Sequence, residues 1–512
     1  MTRSLAETPL RPSHTAPTPL TVLVAMAGAQ TTDHAPITSN TVTGITLRAQ
    51  HARPGDLFVA LPSLTPGRPH GADFAGTALR AGAAAVLTDQ AGSRSPELAG
   101  RTVPVVVHPA PRKVVGALSS HIYGAPSSRL AVLGITGTAG KTTTAYFLEA
   151  GLRAAGAATG LLGTVQVRLG EHHLPSRKTT PEAPDLQALL ALMVERGISH
   201  VPMEVSSHSL ALGRVAGTAF AVAAFTNLSQ DHLDFHSDLE DYFAAKALLF
   251  DGRAATEVVC VDDAWGRRLV TDRTTTVSLD GGTTWHARDI TAHPSGSQTF
   301  RACGPGGADL PLSIRLPGAF NVANALLALA VGHAAAADPV LLAQGIATAE
   351  VPGRMQRINR GQDFLALVDY AHKPAAVAAL LDAVRAQVPG RLLVVLGCGG
   401  DRDTAKRPLM GAEAARRADL LVVTDDNPRT EDPAAIRAAM LSGAQAGPAD
   451  VVEIPDRAVA IAHALSHARP GDAVVVAGKG HEMGQEVHGV KYPFVDADVL
   501  ADLLDGLLGT RA

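Results

Sequence analysis

RLAVLGITGTAGKTTT, residues 129–144, runs from an apolar segment through a glycine turn into a Lys-Thr-Thr-Thr opening. Strand, glycine loop and helix N-terminus in that order make a phosphate-binding loop. Gly137 and Gly140 let the backbone turn tightly, so that successive N–H groups converge on phosphate oxygens where the helix dipole adds positive potential. Lys141 would reach the β- and γ-phosphates, and the Thr142 hydroxyl would hold Mg²⁺. The loop is a shortened form of the general pattern, because Ile135 stands where the first glycine of that pattern falls. Packing alone gives no reason for a Lys-Thr pair directly after the second glycine, so nucleoside triphosphate binding is expected.

At 512 residues the chain exceeds one core, and length alone suggests about three domains. Hydrophobic residues make up 46% and charged residues 18%, the balance of a globular chain. A net charge of −4 argues against a broad nucleic-acid-binding face. Cys260, Cys303 and Cys398 are odd in number and lack metal-like spacing, which fits free thiols in a reducing cytoplasm. No secretory signal is visible, and every apolar run falls short of the ~20 residues of a membrane span. A soluble cytoplasmic protein is expected, its partners small molecules, with neither nucleic acid nor membrane among them.

Residues 1–20, rich in Pro and Thr, read as a disordered leader. Residues 21–126 read as a small α/β domain, with strands at 55–61, 83–89 and 103–108 and a helix at 73–81. The central domain, 127–350, continues from the phosphate loop through a helix at 143–155, a strand near 161–168 and a helix at 184–196. HVPMEVSSHS (200–209) is then a strand ending in Glu204, placed as an NTPase places its Mg²⁺-directed acid, or else simply a solvated strand end. A strand at 220–225 leads to Asn227 and a turn holding Asp231, His232, Asp234 and His236. Those side chains suit a hard divalent ion and equally suit capping of the next helix. Lys246 on that helix reads, by itself, as a solvated lysine. Residues 251–316 read as strand-rich with a glycine hairpin at 304–307, followed by an apolar helix carrying Asn321 and Asn324.

Residues 351–512 alternate strand and helix, which predicts a parallel Rossmann-like sheet. GCGGDR, 397–402, fails as a dinucleotide fingerprint because Arg402 takes the third glycine's place, so NAD is rejected. Ligands of such sheets bind beyond the carboxyl ends of strands. Residues 369–372, 401–402, 426–429 and 479–482 all lie at such ends.

Taken together, GITGTAGKTTT, TTPE, MEVSSHSL, FTNLSQDHLDFH, DYFAAKALLF, LPGAFNVANALLA, VPGRMQ, DYAHKP, GCGGDRDTAKRPLM, DDNPRTE and GKGHE resemble the motifs of the Mur ligases, in that family's order. The resemblance covers nearly the whole chain after residue 20. It implies a three-domain α/β architecture: an N-terminal UDP-substrate-binding domain, a central P-loop ATPase domain with a parallel sheet, and a C-terminal Rossmann-like domain. It also implies a monomer using ATP and Mg²⁺ to form an amide bond through an acyl phosphate in peptidoglycan precursor synthesis.

Residue by residue, the resemblance implies an ATP site of Gly137, Thr138, Ala139, Gly140, Lys141, Thr142, Thr143, Asn321, Asn324, Arg354 and Asp369. Thr142, Glu204, His232 and Lys246 would hold metal, Lys246 as a carbamate, which reverses its bland reading; Lys141, Glu204, His232 and Lys246 form the catalytic set. Thr46, Leu47, Thr179, Thr180, Ser206 and Arg214 match contacts to the UDP-muramoyl dipeptide. Arg402, Asp426, Asn427, Pro428, Arg429, Gly478 and Glu482 match a pocket for meso-2,6-diaminopimelate. An arginine suits that molecule's distal carboxylate and a glutamate its ammonium. In the first domain LRAQ, 47–50, replaces the usual Leu-Asp-Ser-Arg, and Ala139 replaces the usual Asn or Ser. A family member with another amino acid, a nucleotide binder without turnover and a P-loop kinase are weaker readings. DNPR opposes the first, the catalytic set the second, and the Arg402, Arg429 and Glu482 trio the third.

Overall fold

A computed structural model describes residues 10–32, 37–176, 178–293 and 296–509. The chain forms two compact units, one of residues 1–141, 152–276 and 330–338, the other of residues 142–151, 277–329 and 339–512.

The first unit opens with a sheet in which Gly44–Thr46, Asp56–Ala60, Ala85–Thr88 and Val105–Val107 run parallel. Leu20, Leu23, Leu57, Val59 and Leu87 pack beneath it with Ala183 and Ala188 of the helix Ala183–Glu195. The expected disordered leader is corrected over residues 10–20. Arg11 forms a two-pronged ion pair with Asp56, which is 1% exposed, and Thr18–Pro19 pairs antiparallel with Thr41–Val42. A proline-rich composition had hidden a segment fixed by one buried charge pair. Residues 1–9 lie outside the described residues.

The rest of this unit is built on the strand Ala131–Thr136, flanked in parallel by His200–Glu204 and Phe220–Phe225. Ala254–Cys260 extends the sheet in parallel beyond the latter. The apolar run of Ala131–Thr136 is continuous, not alternating, because both faces are covered. The single strand expected near 161–168 is instead two, Gly160–Leu162 and Gln166–Leu169, folded antiparallel about a turn at Gly163. In register, Glu204 lies opposite Ile135, and Phe225 opposite Thr136. Three adjacent strand ends therefore deliver Glu204, the phosphate loop and the Thr226–Asn227 turn to one edge.

In the second unit Gln298–Gly304 and Ala308–Ile314 form the expected glycine hairpin. The C-terminal sheet is parallel in the order Leu365–Asp369, Ala473–Ala477, Leu392–Leu396, Leu420–Val423, Asp450–Glu453, as the strand–helix alternation predicts. The helix Pro433–Ala444 begins at the Asp432 cap, and Arg457–His467 at the Asp456 cap. The sequence reading did not anticipate the hairpin Gly484–Val487 with Val490–Pro493.

Candidate functional site

The phosphate loop needs its first glycine for two reasons. Gly137 has φ of 143°, and a Cβ there would lie 1.8 Å from Thr226 Oγ1. Asn227 stitches the loop: its carbonyl accepts from Thr138 N at 2.8 Å, and its side-chain oxygen from Ala139 N at 3.0 Å. Lys141 Nζ donates to the Gly137 and Thr138 carbonyls at 2.8 and 2.9 Å. Lys246, 1% exposed, donates to the same Gly137 carbonyl at 2.7 Å and lies 4.3 Å above the Tyr242 ring. Its reading as a solvated lysine is corrected. Tyr242, which the sequence did not mark, bonds the Thr138 hydroxyl, and burial pushes its phenol well up.

Glu204 is no solvated strand end either. Thr164 N and Thr164 Oγ1 donate to its two carboxylate oxygens at 2.8 and 3.0 Å. A Cβ at Gly163 would stand 2.5 Å from Glu204 Oε1, so the turn admits only glycine without displacing the acid. Thr180 Oγ1 donates to the Glu204 carbonyl and accepts from Ser206 N, and the Thr179 hydroxyl lies 3.0 Å from that of Thr164. Expected residues of the dipeptide and metal sites thus share one hydrogen-bonded patch.

The turn after Asn227 divides its residues between two tasks. Asp238 caps the helix Leu239–Ala247, and buried His236 spans Asp241 and Ser207, each at 3.1 Å. His232 has φ of 54°, lies 3.1 Å from Asp231 and meets the His208 ring edge-on at 4.8 Å. Burial, then neighbouring His236, lowers the His208 pKa, favouring the neutral ring. Among the described residues no group of three or more His, Cys, Asp or Glu is preassembled for a metal. Hydroxyl, carboxylate and imidazole donors such as Thr142, Glu204 and His232 fit Mg²⁺, which takes few protein ligands and completes its shell with water and phosphate.

Arg214 meets Glu182 at 2.9 Å, beside Lys178 at 2.8 Å and Arg112 at 3.6 Å. Burial would raise the Glu182 pKa, but the Lys178 hydrogen bond and the surrounding cations outweigh it and hold the carboxyl low. Thr46 Oγ1 accepts from Arg48 N, while Leu47 is part-buried beside it.

In the second unit Thr143 is buried, and Thr144, Asn324 and Asn321 form a hydrogen-bonded chain ending at the Pro317 carbonyl. Arg354 lies 4.3 Å over the Tyr370 ring and donates to Thr142 Oγ1 at 3.3 Å. Both oxygens of Asp369 accept backbone N–H groups, from Met355 and Ala371. Asp369 therefore clasps the 351–358 junction instead of presenting a free carboxylate.

The C-terminal set assembles tightly. Asn427 Nδ2 donates to Asp426 at 2.9 Å and to Glu482 Oε2 at 2.7 Å. Lys479, absent from the expected set and 0% exposed, donates to Asn427 Oδ1 and Glu482 Oε2, both at 3.1 Å, and to the Gly484 carbonyl at 2.8 Å. Gly478 has φ of 111°, and a Cβ there would stand 2.8 Å from Asp426 Oδ2. The GKGHE run was the available signal for Lys479. Arg429 has φ of 55°, donates to the Gly400 carbonyl and lies 3.6 Å from Glu486. Its backbone N–H and C=O pair with Glu486 and His488 of the hairpin. The Pro428 carbonyl closes against Gly400, where a Cβ would meet it at 2.0 Å. Arg402 is exposed and acts on Tyr370 through its charge. Burial first, then Glu482, pushes the Tyr370 phenol up to about 12.

Residues 135–332 match the Mur ligase middle domain and residues 353–480 the Mur ligase glutamate ligase domain. The chain is 53% identical to the UDP-N-acetylmuramoyl-L-alanyl-D-glutamate–2,6-diaminopimelate ligase of Corynebacterium glutamicum, over 89% of this chain and 90% of that one. A solved structure with the same enzyme name is 32% identical, with TM-score 0.66, covering 92% of this chain and 96% of that chain. The MurF ligase of Thermotoga maritima in complex with ADP shares the fold at 18% identity, with TM-score 0.62, covering 92% and 99%. Two family domains in sequence and this length of shared identity establish that the chain belongs to the Mur ligase family.

Proposed function

We propose that this chain joins meso-2,6-diaminopimelate to the γ-carboxylate of D-Glu in UDP-N-acetylmuramoyl-L-alanyl-D-glutamate, releasing ADP and phosphate. The observation that carries the reading is the 53% identity with a ligase of that name over 89% of the chain. Chemically, a carboxylate is a poor electrophile, so its oxygen first attacks the γ-phosphorus of ATP and the bond to ADP breaks. The amine of the acceptor then attacks the acyl phosphate carbonyl, loses a proton, and phosphate departs with the electron pair of the broken C–O bond.

The first step brings two anions together, and the chain's task is to neutralise and position them. Lys141 and the N–H groups of residues 137–143 receive the phosphates; Asn321, Asn324, Arg354 and Asp369 shape the nucleotide side. Mg²⁺ would spread the charge of the transferring phosphoryl group, with Thr142, Glu204, His232 and Lys246 as a carbamate its ligands. Thr46, Leu47, Thr179, Thr180, Ser206 and Arg214 orient the UDP-muramoyl dipeptide. Arg402 and Arg429 face the distal carboxylate of diaminopimelate, and Glu482, with Asp426, Asn427, Pro428 and Gly478, its ammonium. We assign the domains to residues 21–126, 127–350 and 351–512, the protein acting as a cytoplasmic monomer. Three free, buried cysteines support a reducing compartment, and among the described residues no helix is long and apolar enough to cross a membrane.

The test is ATP-dependent phosphate release with the UDP-muramoyl dipeptide, comparing meso-diaminopimelate with L-lysine. Turnover with diaminopimelate alone is expected. Equal turnover with lysine overturns the pocket, and no turnover with either overturns the activity.

A further inference from the structure

Among the described residues, Lys479 is the one cation hydrogen-bonded into the Asp426, Asn427 and Glu482 network, and it is completely buried. All three of its donors are used and join two pieces of chain: Asn427 after the strand Leu420–Val423, and its own loop, where Glu482 and then Gly484 at the start of the hairpin accept. Asn427 Oδ1 is shared between Lys479 and Glu486 N, the latter at 2.9 Å. Glu486 in turn accepts the backbone N–H of Arg429 at 3.0 Å. One ammonium thus ties Glu482 to the segment that carries Arg429.

The carboxylate of Glu482 is used unevenly. Asn427 and Lys479 both donate to Oε2, while Oε1 has no hydrogen bond among the described residues, and the side chain is 30% exposed. The second buried cation nearby, Arg457, is matched by Asp496 through two bonds of 2.7 Å. Glu482 thus keeps one carboxylate oxygen outside the network, free to meet a further cation, while Asp426 is held by Asn427. Arg457 also donates to the Ala477 carbonyl, just before Gly478, so the loop bearing Lys479 rests on a rigid base.

We propose that Lys479 is a positioning residue for the amino-acid acceptor: it pins Glu482 by Oε2 and turns Oε1 outward, setting the distance between the anionic and cationic ends of the acceptor's distal head. It does not touch the acceptor and takes no part in phosphoryl transfer. The inference rests on the diaminopimelate reading of this pocket.

The experiment compares Lys479→Met, Lys479→Gln, Glu482→Gln and the double variant Lys479→Met/Glu482→Gln. Steady-state constants are measured for each substrate, and acyl phosphate formed without acceptor is trapped by hydroxylamine. Lys479→Met is expected to raise KM for meso-diaminopimelate about 30-fold, to leave KM for ATP and hydroxylamine trapping within about twofold, and to narrow the preference over L-lysine about 10-fold. Because Lys479 acts through Glu482, the double variant should be no worse than Glu482→Gln alone. If Glu482→Gln raises the acceptor KM but Lys479→Met does not, the positioning role is wrong and the pocket stands. If neither changes it, the pocket reading itself fails. Loss of hydroxylamine trapping in both Lys479 variants makes Lys479 a determinant of the fold and overturns the proposal.

Discussion

Lys141 and Lys246 donate to one acceptor, the carbonyl of Gly137, at 2.8 and 2.7 Å. Two ammonium groups sharing a carbonyl repel one another, and Lys246 is too buried for water to screen the repulsion. Converting Lys246 to an anionic carbamate turns that repulsion into attraction. Activity should therefore fall after removal of dissolved CO₂ and return on adding bicarbonate, with a carbamate carbon seen by ¹³C NMR after labelling. Lys246→Ala should lower kcat by about 100-fold or more and lose the bicarbonate response.

Gly163→Ala tests the support behind Glu204. The added methyl carbon would stand 2.5 Å from Oε1 and must push the carboxylate away from Thr164. We expect kcat to fall about 10-fold and the Mg²⁺ concentration for half-maximal rate to rise, with a melting temperature that shifts little. A Mg²⁺ titration of initial rates decides it.

Glu182 gives a pH-dependent signature. Its pKa is held below the ordinary glutamate value, against burial, by Lys178, Arg214 and Arg112. A depressed pKa stabilises the fold above the unfolded value of about 4.3 and loses that contribution as pH falls through the folded value. Glu182→Gln should cost about 2 kcal/mol at pH 7, and the difference from the parent should shrink as pH falls below the unfolded value of about 4.3 and vanish only below the lower folded value. Urea unfolding at several pH values measures both ends.

Arg429 combines a side-chain role with a strained backbone at φ of 55°. Arg429→Ala and Arg429→Gly should raise KM for diaminopimelate by the same factor, about 100-fold, since both remove the guanidinium. The glycine variant should be the more stable by about 1 kcal/mol, because only glycine adopts that conformation without strain. Equal stabilities would remove the strain argument.

Arg11→Ala leaves Asp56 buried and without its guanidinium partner, retaining the Arg53 N–H bond. A loss of about 3 kcal/mol is expected, partly recovered in Arg11→Met/Asp56→Asn. A stability equal to the parent's would mean that the pair holds nothing.

The sequence made the phosphate loop, the parallel sheets and most helices legible, because each is written in local periodicity and glycine placement. Motif order likewise located Glu204, Lys246 and the 426–429 segment. What it did not show depends on contacts distant in sequence. Arg11 finds Asp56 across 45 residues, Thr138 meets Tyr242 across 104, and Lys479 reaches Asn427 across 52. The family resemblance puts Asp369 on the nucleotide side, but no motif shows that two backbone N–H groups also reach its carboxylate. Residue type and strand position predict where a carboxylate stands, not which donors reach it first.

Arg429 pairs with Val487 as an isolated rung of parallel ladder, so the arginine's aim is set by a hairpin some sixty positions later in the chain. On the proposed reading of this pocket, acceptor preference is then a property of two inherited segments, not of one motif. Grafting the Asp-Asn-Pro-Arg tetrapeptide into a relative that uses another amino acid would transplant the side chain without its sight line. A successful exchange must carry residues 484–493 along with it, and lineages that alter one segment should be found altering the other.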